Sequence, residues 1–136
     1  MAGLFDPERV RNAPLSSVVD EGEYGVKIVK AGIGRSKQKG TPSLDIEASI
    51  EYGNPQIDGR NVEGKHLFYK IYFADGNRDI SERAVKVLCQ ATGVEIGTDE
   101  EIVEALPGRE CIFVVKHREY NGEKQEEVKA VKPPRI

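Results

Sequence analysis

Hydrophobic and polar residues alternate along much of the chain with a period of two, as expected of strands with one buried face. Tyr24, Val26 and Ile28 alternate with Gly25, Lys27 and Val29, predicting a first strand over residues 24–31. A second, over 43–52, sets Leu44, Ile46, Ala48, Ile50 and Tyr52 against Asp45, Glu47, Ser49 and Glu51. Residues 32–42 hold three glycines and a proline and read as the loop between them. The third strand, 65–73, is dense in aromatic and β-favouring residues. With Leu67, Tyr69, Ile71 and Phe73 inward, alternation forces His66, Phe68, Lys70 and Tyr72 onto the opposite face.

The period then lengthens. Asp79 and Glu82 stand at capping-box spacing ahead of apolar positions 80, 84, 87, 88 and 91, predicting a helix that Gly93 ends in the left-handed conformation. Thr98 and Glu101 form a second such box, opening a short acidic helix that Pro107 and Gly108 terminate. Strands over 110–118 and 124–132 follow, joined through Asn121 and Gly122, the favoured pair for a tight hairpin. Residues 1–20, with Pro7 and Pro14, read as an N-terminal arm whose Leu4, Phe5, Val10 and Leu15 can dock on a single domain spanning 21–136. The predicted class is mainly β: a five-stranded OB-like Greek-key barrel with a helix between strands three and four and a second short helix. An open α+β sheet with one helical layer is the alternative.

A length of 136 residues suits one domain, and 20 basic against 23 acidic side chains give a net charge of −3. That near-neutral total argues against a protein that coats duplex DNA with a uniformly basic surface. No apolar run approaches the ~18–20 residues that span a bilayer. The N-terminus lacks a basic start and apolar core for export, so a cytoplasmic location and no membrane partner are expected. Cys89 and Cys111 lie in apolar patterns with no Cys-x-x-Cys and only two histidines nearby in kind, so they are expected to be buried thiols, with no metal and no cofactor.

The overall charge hides a local imbalance. Between Tyr24 and Leu44 the chain carries Lys27, Lys30, Arg35, Lys37 and Lys39 and no acid, a local +5. Lysines on a barrel rim can follow a phosphate backbone while bases stack on outward rings, a combination that requires no particular sequence. The candidate nucleic-acid-binding set is therefore Lys27, Lys30, Arg35, Lys37, Lys39, His66, Phe68, Lys70 and Tyr72, extended by Lys116, Arg118 and Tyr120, with His117 beside them. Asp45, Glu47 and Glu51 cut against this, because carboxylates repel phosphate unless they pair across strands with Lys27 and Lys70. The bland alternatives are a solvated basic loop, and Phe68 and Tyr72 covered by residues 1–20 or by the helix.

Catalytic signals are weak, and no enzyme is expected. The glycines at 32 and 34 fail the phosphate-loop spelling and lead into a strand rather than a helix. Asp75–Asp79 resembles half a calcium loop, but its twelfth position is Lys86, where a bidentate glutamate is needed. Glu95, Asp99, Glu100, Glu101 and Glu104 sum to −5 over ten residues, partly explained by helix N-terminal electrostatics.

Phe5-Asp6, Glu21 through Tyr24, Ser36-Lys37, Gly40, Gly59-Arg60, Ala91-Thr92-Gly93, Leu106 through Arg109 and Lys132-Pro133 occur in an order that resembles a family of small phage and prophage proteins. That family, long catalogued as a domain of unknown function, looks like the OB-fold single-stranded DNA-binding proteins of replication and recombination modules. The resemblance implies sequence-tolerant binding of single-stranded DNA in the cytoplasm of a bacterial host, with a recombinase or nuclease as neighbour; a homo-oligomer is left open. Many bacterial single-strand binders end in an acidic tail, whereas this chain ends Lys132 to Ile136, so recruitment by that route is not expected, and if a partner surface exists the acidic helix over 98–106 is the better candidate. The alternative function is a protein-interaction or virion-associated β-barrel that does not bind nucleic acid.

Overall fold

The computed structural model describes residues 3–4, 6–12, 18–53 and 55–134. A helix α1, Pro7–Asn12, precedes strands β1, Gly22–Arg35, β2, Pro42–Gly53, and β3, His66–Tyr72. Helices α2, Arg78–Thr92, and α3, Asp99–Ala105, then lead to β4, Glu110–Tyr120, and β5, Glu123–Lys132. The strands form one antiparallel sheet in the order β3-β2-β1-β4-β5.

β1 runs four residues further than its sequence suggests, because Gly32 and Gly34 pair with Asp45 and Ser43 instead of forming a loop. Glycine weakens a strand by leaving it free, but the β2 ladder fixes these two. The connection shrinks to residues 36–41, where Ser36 N–H donates to Thr41 O at 2.9 Å and Gly40 N–H to Ser36 O at 3.0 Å.

The sheet is strongly curled. Tyr69 on β3 and Phe113 on β4 meet edge-on at 5.9 Å, although β2 and β1 lie between their strands. A flat sheet would hold them roughly 14 Å apart, three strand spacings of ~4.8 Å. The curl encloses a core of Tyr24, Val26, Ile28, Ile46, Ile50, Leu67, Phe113 and Val115, all at most 2% exposed. The predicted closed barrel is nonetheless not formed: β3 and β5 approach one another without a ladder of hydrogen bonds. Side chains bridge them instead. Glu126 of β5 accepts from Lys65 Nζ at 3.2 Å and from Val19 N–H at 2.9 Å, while α2 packs on β3, β4 and β5.

Residues 18–20 belong to this plug. Val19 is fully buried, the Tyr24 hydroxyl donates to Asp20 O at 2.6 Å and accepts from Gln56 Nε2 at 2.7 Å, and Asp20 N–H returns to Gln56 Oε1 at 2.8 Å. Burial pushes the Tyr24 phenol up from its ordinary range. Leu4 and Val10, read as docking residues, are exposed; Phe5 and Leu15 lie outside the described residues.

α2 departs from its sequence reading. It starts at Arg78 with Asn77 as N-cap and no side-chain cap bond, so Asp79 sits within the first turn. Its buried face is Ser81, Leu88, Cys89, Ala91 and Thr92, while Ile80 and Val87 are exposed. The rotation follows from Ser81, whose hydroxyl donates to Tyr72 O and ties the helix to the end of β3. Gly93 ends the helix at φ 74°, and Thr98 with Glu101 forms the reciprocal box of α3, both as expected. Asn121 and Gly122 turn the last hairpin with φ 51° and 78°. Cys89 and Cys111 are free and buried.

Two outcomes test this account. Tyr24→Phe leaves Gln56 and Asp20 O without their shared hydroxyl and should cost about 1–3 kcal/mol in urea unfolding at unchanged m-value. Burial pushes the Cys111 thiol up to about 12 from 9.0, so the neutral thiol favours the fold. That contribution is intact below pH 9 and is lost as pH rises toward 12. Cys111 should accordingly resist a disulfide reagent at pH 8 in the native protein and react once urea unfolds it.

Candidate nucleic-acid interface

Antiparallel register fixes which side chains share a face, since directly opposed residues point the same way. On the face away from the core, four rows cross β3, β2 and β1: His66–Ser49–Lys27, Phe68–Glu47–Lys30, Lys70–Asp45–Gly32 and Tyr72–Ser43–Gly34. Phe68 and Tyr72 are 59% and 45% exposed, so neither α2 nor the described N-terminal residues cover them. Phe68, Lys70, Lys30, Gly32, Asp45 and Glu47 surround an open depression of about 360 Å³.

Lys30 reaches this face only because β1 is irregular. Simple alternation from Lys27 would turn it toward the core, but a bulge between Ile28 and Lys30 inserts Val29 and sets Lys30 opposite Glu47. A second irregularity has the same consequence for β2. Val26 pairs with Ile50 and Gly25 with Tyr52, so Glu51 is the extra residue and Tyr52 leaves the inward set to which its sequence period assigned it. The Tyr52 ring lies over Gly25, where a Cβ would come within 2.2 Å of it.

The carboxylates on β2 are partly occupied, though not by the lysines expected. Glu47 Oε2 pairs with His66 Nδ1 at 2.6 Å, and Asp45 Oδ1 accepts the Ser43 hydroxyl at 2.7 Å. Among the described residues no ion pair holds Lys27, Lys30, Lys37, Lys39 or Lys70. Lys27 stands opposite Glu110 in the β1–β4 register.

The remaining predicted residues separate. Lys37 and Lys39 sit in the turn at the tip of the β1–β2 hairpin, at the Tyr72 end of the rows. Arg35 alternates with Gly34 onto the opposite face and donates to Gly40 O at 3.1 Å, so it braces the turn. Lys116 and Arg118 share the outer face but lie on β4 beyond Gly22, where β1 begins, opposite Glu127 and Gln125. The Tyr120 side chain lies outside the described residues. His117 points inward: its Nε2 contacts Val19 O at 2.6 Å and its N–H donates to Glu21 Oε2 at 2.8 Å, holding that carboxyl below its ordinary range. Tyr52 is the residue that sequence reasoning missed, because the extra residue Glu51, and not its own period, sets its face.

No group of three metal-ligating side chains occurs among the described residues, and no helix there is long and apolar enough to cross a membrane. The chain belongs to the family described as "Protein of unknown function (DUF669)", whose model matches residues 5–135. No curated protein matches it. A solved structure titled "Yeast RPA bound to ssDNA" is similar at 14% identity and a TM-score of 0.38, covering 100% of this chain and 90% of that one. A superposition this loose adds nothing to what the strand register shows.

Gly32 and Gly34 test the geometry of the face. A Cβ at Gly32 meets nothing within 4 Å, whereas one at Gly34 would come within 2.2 Å of Asp45 Oδ2. Gly32→Val should leave thermal stability unchanged or raise it by up to about 1 kcal/mol. Gly34→Val should lower it by about 1 kcal/mol, by displacing Asp45 from Ser43.

Proposed function

We propose that this member of the family binds single-stranded DNA without regard to sequence and is not an enzyme. The observation that carries the reading is the placement of two exposed rings, Phe68 and Tyr72, on one face with Lys70, Lys30 and Lys27. Rings offer each base a stacking surface worth about 1–3 kcal/mol, and unpaired ammonium groups beside them meet phosphates. Lys37 and Lys39 extend the positive charge beyond the Tyr72 end. The His66–Glu47 and Ser43–Asp45 contacts draw two carboxylates toward protein partners on the same face.

The curled five-stranded sheet is, on this reading, an OB-like barrel left open between β3 and β5. The order of short motifs from Phe5-Asp6 to Lys132-Pro133 supports a phage-type replication or recombination setting in a bacterial cytoplasm, with a recombinase or nuclease as partner. The acidic first turn of α3, with Asp99, Glu100 and Glu101 exposed, is the surface on this chain suited to a basic partner.

Titration of a fluorescent 30-nucleotide DNA by anisotropy tests the reading. Binding should weaken with salt at a log–log slope of about −0.7 per phosphate neutralised. Phe68→Ala with Tyr72→Ala should cost about 1–3 kcal/mol per ring while the melting transition is retained. A folded wild-type protein that ignores the oligonucleotide at low salt, or that buries these rings in a stable oligomer, would replace this reading with that of an interaction module.

A further inference from the structure

Tyr52 lies outside the four rows that hold Phe68 and Tyr72, yet its surroundings are those of a stacking position. The ring lies against the backbone of β1 because residue 25 is a glycine; a Cβ there would come within 2.2 Å of ring atoms. At 42% exposure, a ring seated in this way has one side on the sheet and the other open. Ile112, opposite Gly25 in the β4 register and only 3% exposed, closes the floor of the same row. Beside the ring lies an open depression of about 420 Å³, walled by Gly22, Glu23, Gly25, Gly53, Pro55 and Ile112. Four of the seven residues around it, counting Tyr52, are glycine or proline, so bare backbone leaves width for a flat group. Its one carboxylate, Glu23, is held by Lys132 Nζ at 3.0 Å.

We infer that Tyr52 is a third base-stacking position, so that a single strand crosses the sheet diagonally, from Tyr72 and Phe68 on β3 to Tyr52 above β1. This rests on the outer face being a nucleic-acid interface. Phe68 and Tyr72 stand roughly 13 Å apart along β3, and the Phe68 and Tyr52 rows roughly 17 Å apart along β1, at ~3.3 Å per residue. Lys30 stands in the Phe68 row itself and Lys27 between that row and the Tyr52 row, where phosphates would pass. A track confined to β3 would end at His66 and leave Lys27 and Tyr52 unused. A diagonal track engages both, within the ~4–16 nucleotides that one such fold binds.

An aromatic residue over a strand glycine also stabilises a sheet by covering it, so the test must separate cover from stacking. Tyr52→Leu keeps an apolar cover over Gly25 without a stackable ring, and Tyr52→Phe keeps the ring. With a 20-nucleotide DNA, Tyr52→Phe should bind like wild type and Tyr52→Leu at least about fivefold more weakly. With a 3-nucleotide DNA, too short to bridge the β3 rings and Tyr52, Tyr52→Leu and wild type should bind alike. Photocross-linking of wild-type protein to a bromodeoxyuridine 20-mer provides a readout that needs no variant, and should yield an adduct at Tyr52. Equal binding of the 20-mer by Tyr52→Leu while Phe68→Ala weakens it, or adducts at Phe68 and Tyr72 without Tyr52, would overturn the diagonal track and leave the interface standing. No binding by wild type at either length would overturn both.

Discussion

A fourteen-residue strand that pairs with β2 over nearly its whole length and with β4 over its first six residues must coil to keep one face on a small core. The irregularities after Gly25 and Ile28 provide that coil. Each inserts one residue on one side of the ladder, and each insertion exchanges inward and outward for everything beyond it. The curl that brings Tyr69 against Phe113 and the outward placement of Lys30 and Tyr52 therefore share a single cause. The surface read here as an interface is a by-product of how the core is enclosed.

Curling without closing leaves two strand edges near each other, a liability that proteins manage by covering or charging them. This chain does both. Lys65 and Glu126 bridge the gap at one end, joined there by the Val19 amide, while α2 packs over β3 and β5. The Tyr24 hydroxyl, with Asp20 and Gln56, completes the seal by satisfying polar groups that the fold has removed from water. Residues 18–20 thus do the work of a missing ladder.

The outer face shows why net charge is a poor guide to such a surface. The whole chain is slightly acidic, and carboxylates and ammonium groups alternate across β1, β2 and β3. What differs is engagement: Glu47 and Asp45 contact His66 and Ser43, while Lys27, Lys30 and Lys70 have no ion-pair partner among the described residues. Phe68 stands in a row with Glu47 and Lys30, and the row of Lys70 and Asp45 separates it from Tyr72, so a ligand here meets cations and stacking surfaces together.

Period two was enough to read the five strands, the inward set on β3 and, by elimination, the outward Phe68 and Tyr72, because alternation is a local property of extended backbone. Turn and cap chemistry was equally local, hence the legibility of Asn121-Gly122, Gly93 and the Thr98 box. The length of β1 was not legible, since Gly32 and Gly34 are strand residues only while β2 supplies their hydrogen bonds. Nor were the faces of Lys30 and Tyr52: a bulge is defined by the partner strand's count of residues, which no single segment carries. The same holds for the rotation of α2, set by Ser81 reaching Tyr72, and for the gap between β3 and β5. Local pattern determined which elements exist; register between distant segments, a matter of hydrogen bonds across the sheet, decided which side chains meet.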